Sequence, residues 1–372
     1  MNITVSRILS TALILATGTG AFAEDVRLGG GRAFGMAGAG LALPLDVYEN
    51  HRLNPALLGF AGEKFRFGIP YIGYHAGRIS LKGVNDLIGN VDSGGIDDDQ
   101  VVKLARKYGS NTKEFGVNGG FGLSGEHFAF SGGAEAVVRS VPNDSLKAFL
   151  ATGDNDYTHA PIDARLDAYG LGYYEVNGSY GHEVLKGPDR LSLGASVRGV
   201  SAFYAHKVAD AEAIGGTGDV RNGSEVADGD DVIKRSGVGV DLGAVGTLRK
   251  LPNAYYGVNI RNLVEPNIRF VRTFPNTDFP LHRDLRPFQR EVNVGAAYVQ
   301  GRYLAAADMI DLGNHSGNAG FRVGGEYALS KYLAIRGGYD TQSKFVVGLC
   351  LGGVNAAVSA DGSTSIVTAI RF

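Results

Sequence analysis

From residue 64 onward the chain alternates apolar and polar positions in about fourteen segments, each of strand length. In order they are Lys64 to Leu81, Thr112 to Leu123, His127 to Arg139, Asp167 to Glu183, Arg190 to Tyr204, Ser236 to Leu248 and Ala254 to Arg261, then Glu291 to Val299, Tyr303 to Asp311, Ala319 to Ala328, Leu333 to Asp340, Lys344 to Cys350, Val354 to Ser359 and Thr364 to Phe372. Short links, Ser124-Gly125-Glu126, Lys186-Gly187-Pro188-Asp189 and Lys250-Leu251-Pro252-Asn253, alternate with long gaps that end at Asn111, run between Arg139 and Asp167, from His206 to Lys234 and from Asn262 to Gln289. All long gaps therefore fall at one parity. That segregation is what short periplasmic turns and long outer loops produce in an outer-membrane barrel, whereas a soluble β-sandwich has no reason to sort its loops. The first segment contains Pro70 and reads either as one kinked strand or as two, and an even total favours one.

The alternation assigns faces. Leu191, Leu193, Ala195 and Val197 are predicted to face lipid, with Ser192, Ser196 and Arg198 in the lumen. Phe321, Val323 and Tyr327 face out while Arg322 and Glu326 face in, and on the next strand Leu333, Ile335 and Tyr339 face out while Arg336 and Asp340 face in. By the same register Val240, Val294 and Val347 join Leu193, Val323 and Ile335 on the lipid side. Glu326 and Arg336 then share the lumen on neighbouring strands and are expected to pair, with Asp308 of the preceding strand placed to join them.

Composition agrees with strands and tight turns. Fifty-six glycines are about twice the usual share, and seventeen Tyr with eighteen Phe must build any aromatic girdle because Trp is absent. After residue 23 no apolar run reaches the length of a membrane-spanning helix. A net charge of −2 offers no basic face for nucleic acid. The first 23 residues read as a secretory signal peptide: Arg7, an apolar stretch from Ile8 to Ala16, and Ala21-Phe22-Ala23 as the cleavage site. Cys350, the single cysteine, has no partner for an internal disulfide. The expected architecture is all-β: a transmembrane antiparallel β-barrel of about fourteen strands over 64–372, preceded by the signal peptide (1–23) and an N-terminal segment (24–63), in the cell outer membrane of a Gram-negative bacterium.

Catalytic and metal chemistry find no foothold in the sequence. A literal G-x-G-x-x-G at Gly120, Gly122 and Gly125 ends one strand and enters the next, whereas a dinucleotide fingerprint must open a helix. The acidic runs Asp97-Asp98-Asp99 and Asp228-Gly229-Asp230-Asp231 lack the ligand spacing of a calcium loop, and the eight histidines show no metal-binding pair. No Ser-His-Asp or paired-carboxylate arrangement is legible, so the chain is read as a non-enzyme without cofactor or metal. Asp97 to Tyr108, with Val101, Val102, Leu104 and Ala105, has the pattern of a short helix, in the first outer loop or tucked over the lumen.

The segment 24–63 runs through Gly29-Gly30-Gly31-Arg32-Ala33-Phe34-Gly35-Met36-Ala37-Gly38-Ala39-Gly40 to Asn54-Pro55-Ala56-Leu57-Leu58. Pro55 restricts Asn54 to an extended shape and suits the first position of a short helix. Such a glycine-rich stretch, then Asn-Pro-Ala, then a barrel, resembles the FadL family of long-chain fatty-acid channels. Gly325-Glu326-Tyr327-Ala328-Leu329 followed by Leu333-Ala334-Ile335-Arg336-Gly337-Gly338-Tyr339 is similar to the penultimate hairpins of the shorter TraF and PorV-like branch of that superfamily. The resemblance implies that 24–63 is a hatch plugging the lumen, with Gly35, Gly38, Gly40, Asn54, Pro55 and Ala56 within it. It also implies that the closing strand, with Ile370 and terminal Phe372, carries the signal read by the barrel-insertion machinery.

Two functions follow as expectations: passive uptake of small hydrophobic molecules through a plugged lumen, or a non-transport assembly role in a conjugation or secretion apparatus. The implied partners are outer-membrane lipid, the insertion machinery, and either a hydrophobic small molecule or secretion and conjugation proteins. Leu41, Leu43, Leu57, Leu58 and the other apolar residues of 24–63 are too many to leave in water, which places the segment inside the barrel with Asn54-Pro55-Ala56 near the periplasmic end.

Overall fold

A computed structural model describes residues 31–45, 50–60, 65–77, 113–210 apart from 155–158 and 162, 232–274, and 281–368 apart from 318, 331, 342, 343, 353 and 361–363. The signal peptide, the 97–108 helix, both acidic runs, Ile370 and Phe372 lie outside the described residues.

The strands are β1 (Phe65–Gly77), β2 (Lys113–Gly125), β3 (Phe128–Pro142), β4 (Arg165–Leu185), β5 (Arg190–Asp210), β6 (Ile233–Leu248) and β7 (Leu251–Val264), then β8 (Phe270–Phe274), β9 (Leu281–Leu285), β10 (Glu291–Gln300), β11 (Tyr303–Ile310), β12 (Gly320–Ala328), β13 (Leu333–Asp340), β14 (Lys344–Leu351), β15 (Val354–Ser359) and β16 (Thr364–Thr368). Fourteen of them form one closed antiparallel barrel in which sequence neighbours pair, except that β7 pairs with β10 and β1 closes against β16. β8 and β9 stand apart as a hairpin. The expected strand number is met. β1 is one strand, and its register with β2 shifts between Gly68 and Tyr71, around Pro70, which has no N–H for the ladder.

Two elements sit where the alternation pattern showed only loops. The second long gap holds a helix, Asp144–Thr152, whose N-cap Asn143 accepts the Leu146 amide at 2.9 Å and whose C-cap Gly153 takes the left-handed φ of 73°. The fourth gap holds the β8–β9 hairpin. β7 begins earlier than its hydrophobic run, so only Arg249 and Lys250 remain as the turn after β6.

The wall has the predicted two faces. Leu193, Val323, Ile335 and Val347 are exposed on the outside. Val240 and Val294 are half-buried and lie across the ladder from the exposed Val197 and Met309. Such an apolar belt around a polar interior is stable only in lipid. Arg198, Asp241, Asp308 and Arg336 are buried on the inside.

Candidate functional site

The interior of the barrel carries whatever chemistry this chain has, and it is built in three parts. In the first, residues 31–45 and 50–60 are seated inside the wall. Glycines on the inner face make the seat, because a Cβ there would collide with the segment. At Gly324 it would stand 2.6 Å from the Met36 Cβ, at Gly181 2.9 Å from the Leu58 Cβ, and at Gly295 3.0 Å from the Leu41 Cβ. The segment's own glycines answer these. A Cβ on Gly35 would stand 2.9 Å from the Arg336 Cδ, and Gly38 and Gly40 hold φ of +84° and +148°, which L side chains rarely adopt.

Asn54, Pro55 and Ala56 form the tightest contact. The Asn54 side chain donates to the carbonyls of Ala244 at 3.3 Å and Val258 at 3.2 Å, on β6 and β7, and accepts the Ala56 amide at 3.1 Å. Pro55 opens a 3-10 turn through Phe60, and the Ser192 hydroxyl donates to the Ala56 carbonyl at 2.6 Å. The turn packs near the ends of β4 and β5 that the short Lys186–Asp189 link joins, the periplasmic side by loop length.

The second part is charged. On β12 and β13, Glu326 and Arg336 are register partners and pair at 2.6 Å, with Arg32 at 3.3 Å from the same carboxylate. Asp308 stands apart from this group. Its register partner is Arg322, which pairs with Asp340 at 3.3 Å, while the Asp308 carboxylate accepts the amides of Gly40 at 2.7 Å and Leu41 at 3.1 Å. It lies four positions along β11 from Leu304, the residue opposite Glu326, so backbone reach decides against the expected triad.

Across the lumen, Arg198 reaches Glu175 at 3.2 Å, Asp241 at 3.0 Å and the Asn262 side chain, and Arg52 of the N-terminal segment pairs with the same Glu175. Asn262, in a left-handed conformation at φ 52°, also donates its amide to Asp241 at 2.7 Å. The alternation pattern put Arg198 in the lumen but not its partners. The usable signal was inward parity at Glu175 on β4 and Asp241 on β6, the two strands that flank Arg198 on β5.

The third part is apolar. Leu171 and Tyr173 of β4 and Val200, Ala202 and Tyr204 of β5 point inward on the far side of that layer, toward the long loops. Ile268, Phe270, Leu285 and Phe288 from the β8–β9 region fill the space between them. Tyr204 stacks on Phe270 with centroids 5.3 Å apart, and Tyr173 meets Phe288 edge-on at 5.4 Å. Leu53 of the N-terminal segment closes the cluster from below. Gly120, Gly122 and Gly125 lie on β2, not at a helix, and among the described residues no three His, Cys, Asp or Glu converge as a metal site.

The sequence profile of the family described as "F plasmid transfer operon, TraF, protein" matches residues 52–309, more than half of the chain. The chain belongs to the TraF family. No curated protein sequence matches it. Among solved structures, the toluene transporter TbuX of Ralstonia pickettii is 15% identical with a TM-score of 0.52, covering 93% of this chain and 99% of that one. A deltaS2 mutant of the TodX monoaromatic hydrocarbon channel is 14% identical with a TM-score of 0.50, covering 93% and 97%. At that identity the likeness concerns fold, and the fold of this TraF-family chain is that of a FadL-type outer-membrane β-barrel.

Proposed function

We propose that this TraF-family barrel sits in the outer membrane of a Gram-negative bacterium and passes small hydrophobic molecules, with residues 24–63 as the hatch. One observation carries the reading. The inner faces of β4 and β5 turn from polar to apolar toward the outer loops, where Tyr173, Val200, Ala202 and Tyr204 make an aromatic-rich site of the kind that apolar solutes enter. Loop side chains from the β8–β9 region occupy it here, which makes this a closed arrangement. Barrels of the same fold are described as a toluene transporter and a monoaromatic hydrocarbon channel, which supports a small aromatic solute. The test is uptake of labelled toluene by cells with and without the barrel, and with residues 268–288 replaced by a short glycine linker. Faster uptake with the barrel, and faster still without the hairpin, is expected. Equal rates in all three strains sink the proposal.

A second reading draws on the filled lumen and the family. A barrel stoppered by a hairpin and an N-terminal segment can serve as a fixed component of a conjugation or secretion apparatus. Conjugal transfer that is lost without the barrel, yet fully restored by a variant with its hatch covalently locked, would favour this role over transport.

A further inference from the structure

The N-terminal segment is held in two chemically different ways. Residues 54–60 are bonded into the wall's backbone: Asn54 bridges carbonyls of two strands and Ser192 fixes the Ala56 carbonyl. The turn they form is buried, with Leu57 and Leu58 fully enclosed. Residues 31–45 are held by side chains of the wall, through Asp308 to the amides of Gly40 and Leu41 and through Glu326 to Arg32. Their apolar partners on the wall are Ala297, Leu304 and Ala306 with Tyr255 and Val299 beside them, and Val346 and Ala357 around Ala37.

Both wall carboxylates that hold residues 31–45 also neighbour a wall arginine, Arg336 beside Glu326 and, beside Asp308, the Arg322 that pairs with Asp340. Glu326 is already shared between Arg32 and Arg336, so losing Arg32 leaves it paired. Asp308 faces Arg322 directly across the β11–β12 ladder. A buried carboxylate stripped of its only partner is strongly destabilising, and this arrangement avoids that penalty when the segment leaves. We propose that residues 31–45 form a movable leaf of the hatch and residues 54–60 its fixed anchor, with Asp308 as the latch that holds the leaf closed. The proposal rests on the hatch reading above. Release of the leaf clears the inner face of β10 to β15 while Asn54 keeps the anchor seated.

Cysteine accessibility tests it in the full chain with Cys350 replaced by Ser. Leu43→Cys reports on the leaf and Leu57→Cys on the anchor, both positions being buried. Each variant, in vesicles, is treated with a membrane-impermeant maleimide after heat-modifiable gel mobility has shown a folded barrel. Leaf labelling faster than anchor labelling is expected. Asp308→Ala should accelerate it at least roughly tenfold, the scale of losing charge-assisted hydrogen bonds to a buried carboxylate, and leave the anchor unchanged. Asp308→Asn serves as the milder variant if the alanine does not fold. A disulfide between Ala42→Cys and Gly257→Cys, where the Ala42 Cβ lies 3.2 Å from an added Cβ, should abolish leaf labelling until reduced. Equal labelling of leaf and anchor, or acceleration of both by Asp308→Ala, overturns the proposal. Selective leaf labelling together with toluene uptake that the disulfide does not alter would keep the leaf and overturn the uptake reading.

Discussion

The two sides of the barrel handle a polar interior differently. β4 and β5 have 21 residues each and β6 has 16, while β11, β13 and β14 have 8 and β15 has 6. A tilted strand crosses the hydrocarbon core in roughly 9 to 11 residues, so the tall side has a surplus that projects on the side of the long loops. In that surplus the inward positions are apolar and a loop hairpin covers them; at membrane depth on the same side a network of wall side chains around Arg198, joined by Arg52 of the N-terminal segment, takes over. The short side has no surplus and no hairpin. Among its inward charges Arg322 pairs with Asp340 and Arg336 with Glu326, while Asp308 and Glu326 grip the N-terminal segment. The N-terminal segment lies against both sides, so wall height decides only whether an outer-loop hairpin is added above it.

The sharpest way to break the tall side is to remove its central cation. Arg198→Ala leaves Asp241 and Asn262 without their guanidinium in a fully buried site, and about 3 to 5 kcal/mol should be lost. Urea unfolding in lipid vesicles measures it. Arg336→Ala on the short side should cost less, because Arg32 remains beside Glu326. Equal losses would mean that the segment does not share that charge.

The outer face should not register the difference between the sides. Leu193→Arg on β5 and Val347→Arg on β14, both well exposed to lipid, should each cost about 2 to 4 kcal/mol near the midplane. A loss at one side only would place the bilayer obliquely across the barrel.

Glycines of one strand separate wall from seat. Gly194 of β5 faces Pro55 and Ala56, whereas an added Cβ at Gly199 meets nothing within 4 Å. Gly194→Val should destabilise by about 1 to 3 kcal/mol through overpacking, and Gly199→Val by far less. If both are tolerated in vesicle unfolding, the anchor is not seated as described.

What could be read from the sequence follows from the range of the interactions involved. The strands were legible because alternation and loop parity are local consequences of lipid on one face, and Glu326 with Arg336 was legible because a short hairpin fixes the register. The lumen position of Asp308 was legible too, but not its partners, which are backbone amides of Gly40 and Leu41, far away in sequence and invisible in residue type. The network of Arg52, Glu175, Arg198, Asp241 and Asn262 was missed for the same reason: the segment and four separate strands supply it. The β8–β9 hairpin has a different cause, because its strands of five residues are too short to show a period.

The smallest effect belongs to the outer loop between β3 and β4 and tests whether the tall side's projection is autonomous. Asn143 caps the helix Asp144–Thr152 and also donates to the Asp163 carbonyl at 2.7 Å, so Asn143→Ala should weaken that helix by about 1 kcal/mol. Asp144 in its first turn is held below its usual pKa by a hydrogen bond and charge attraction from Lys147. A carboxyl lowered on folding contributes above its unfolded pKa, and the contribution fades as pH falls through the lowered folded value. The pair is open to solvent, so acidification should produce only slight fraying. Hydrogen exchange resolves both: amides of 146–152 should exchange faster in Asn143→Ala, and faster in wild type near pH 3 than the change in intrinsic rate explains, while amides of 175–185 in β4 and 190–199 in β5 stay protected. Loss of protection spreading down β4 would show that the projection and the membrane wall unfold together, and the division between them would not stand.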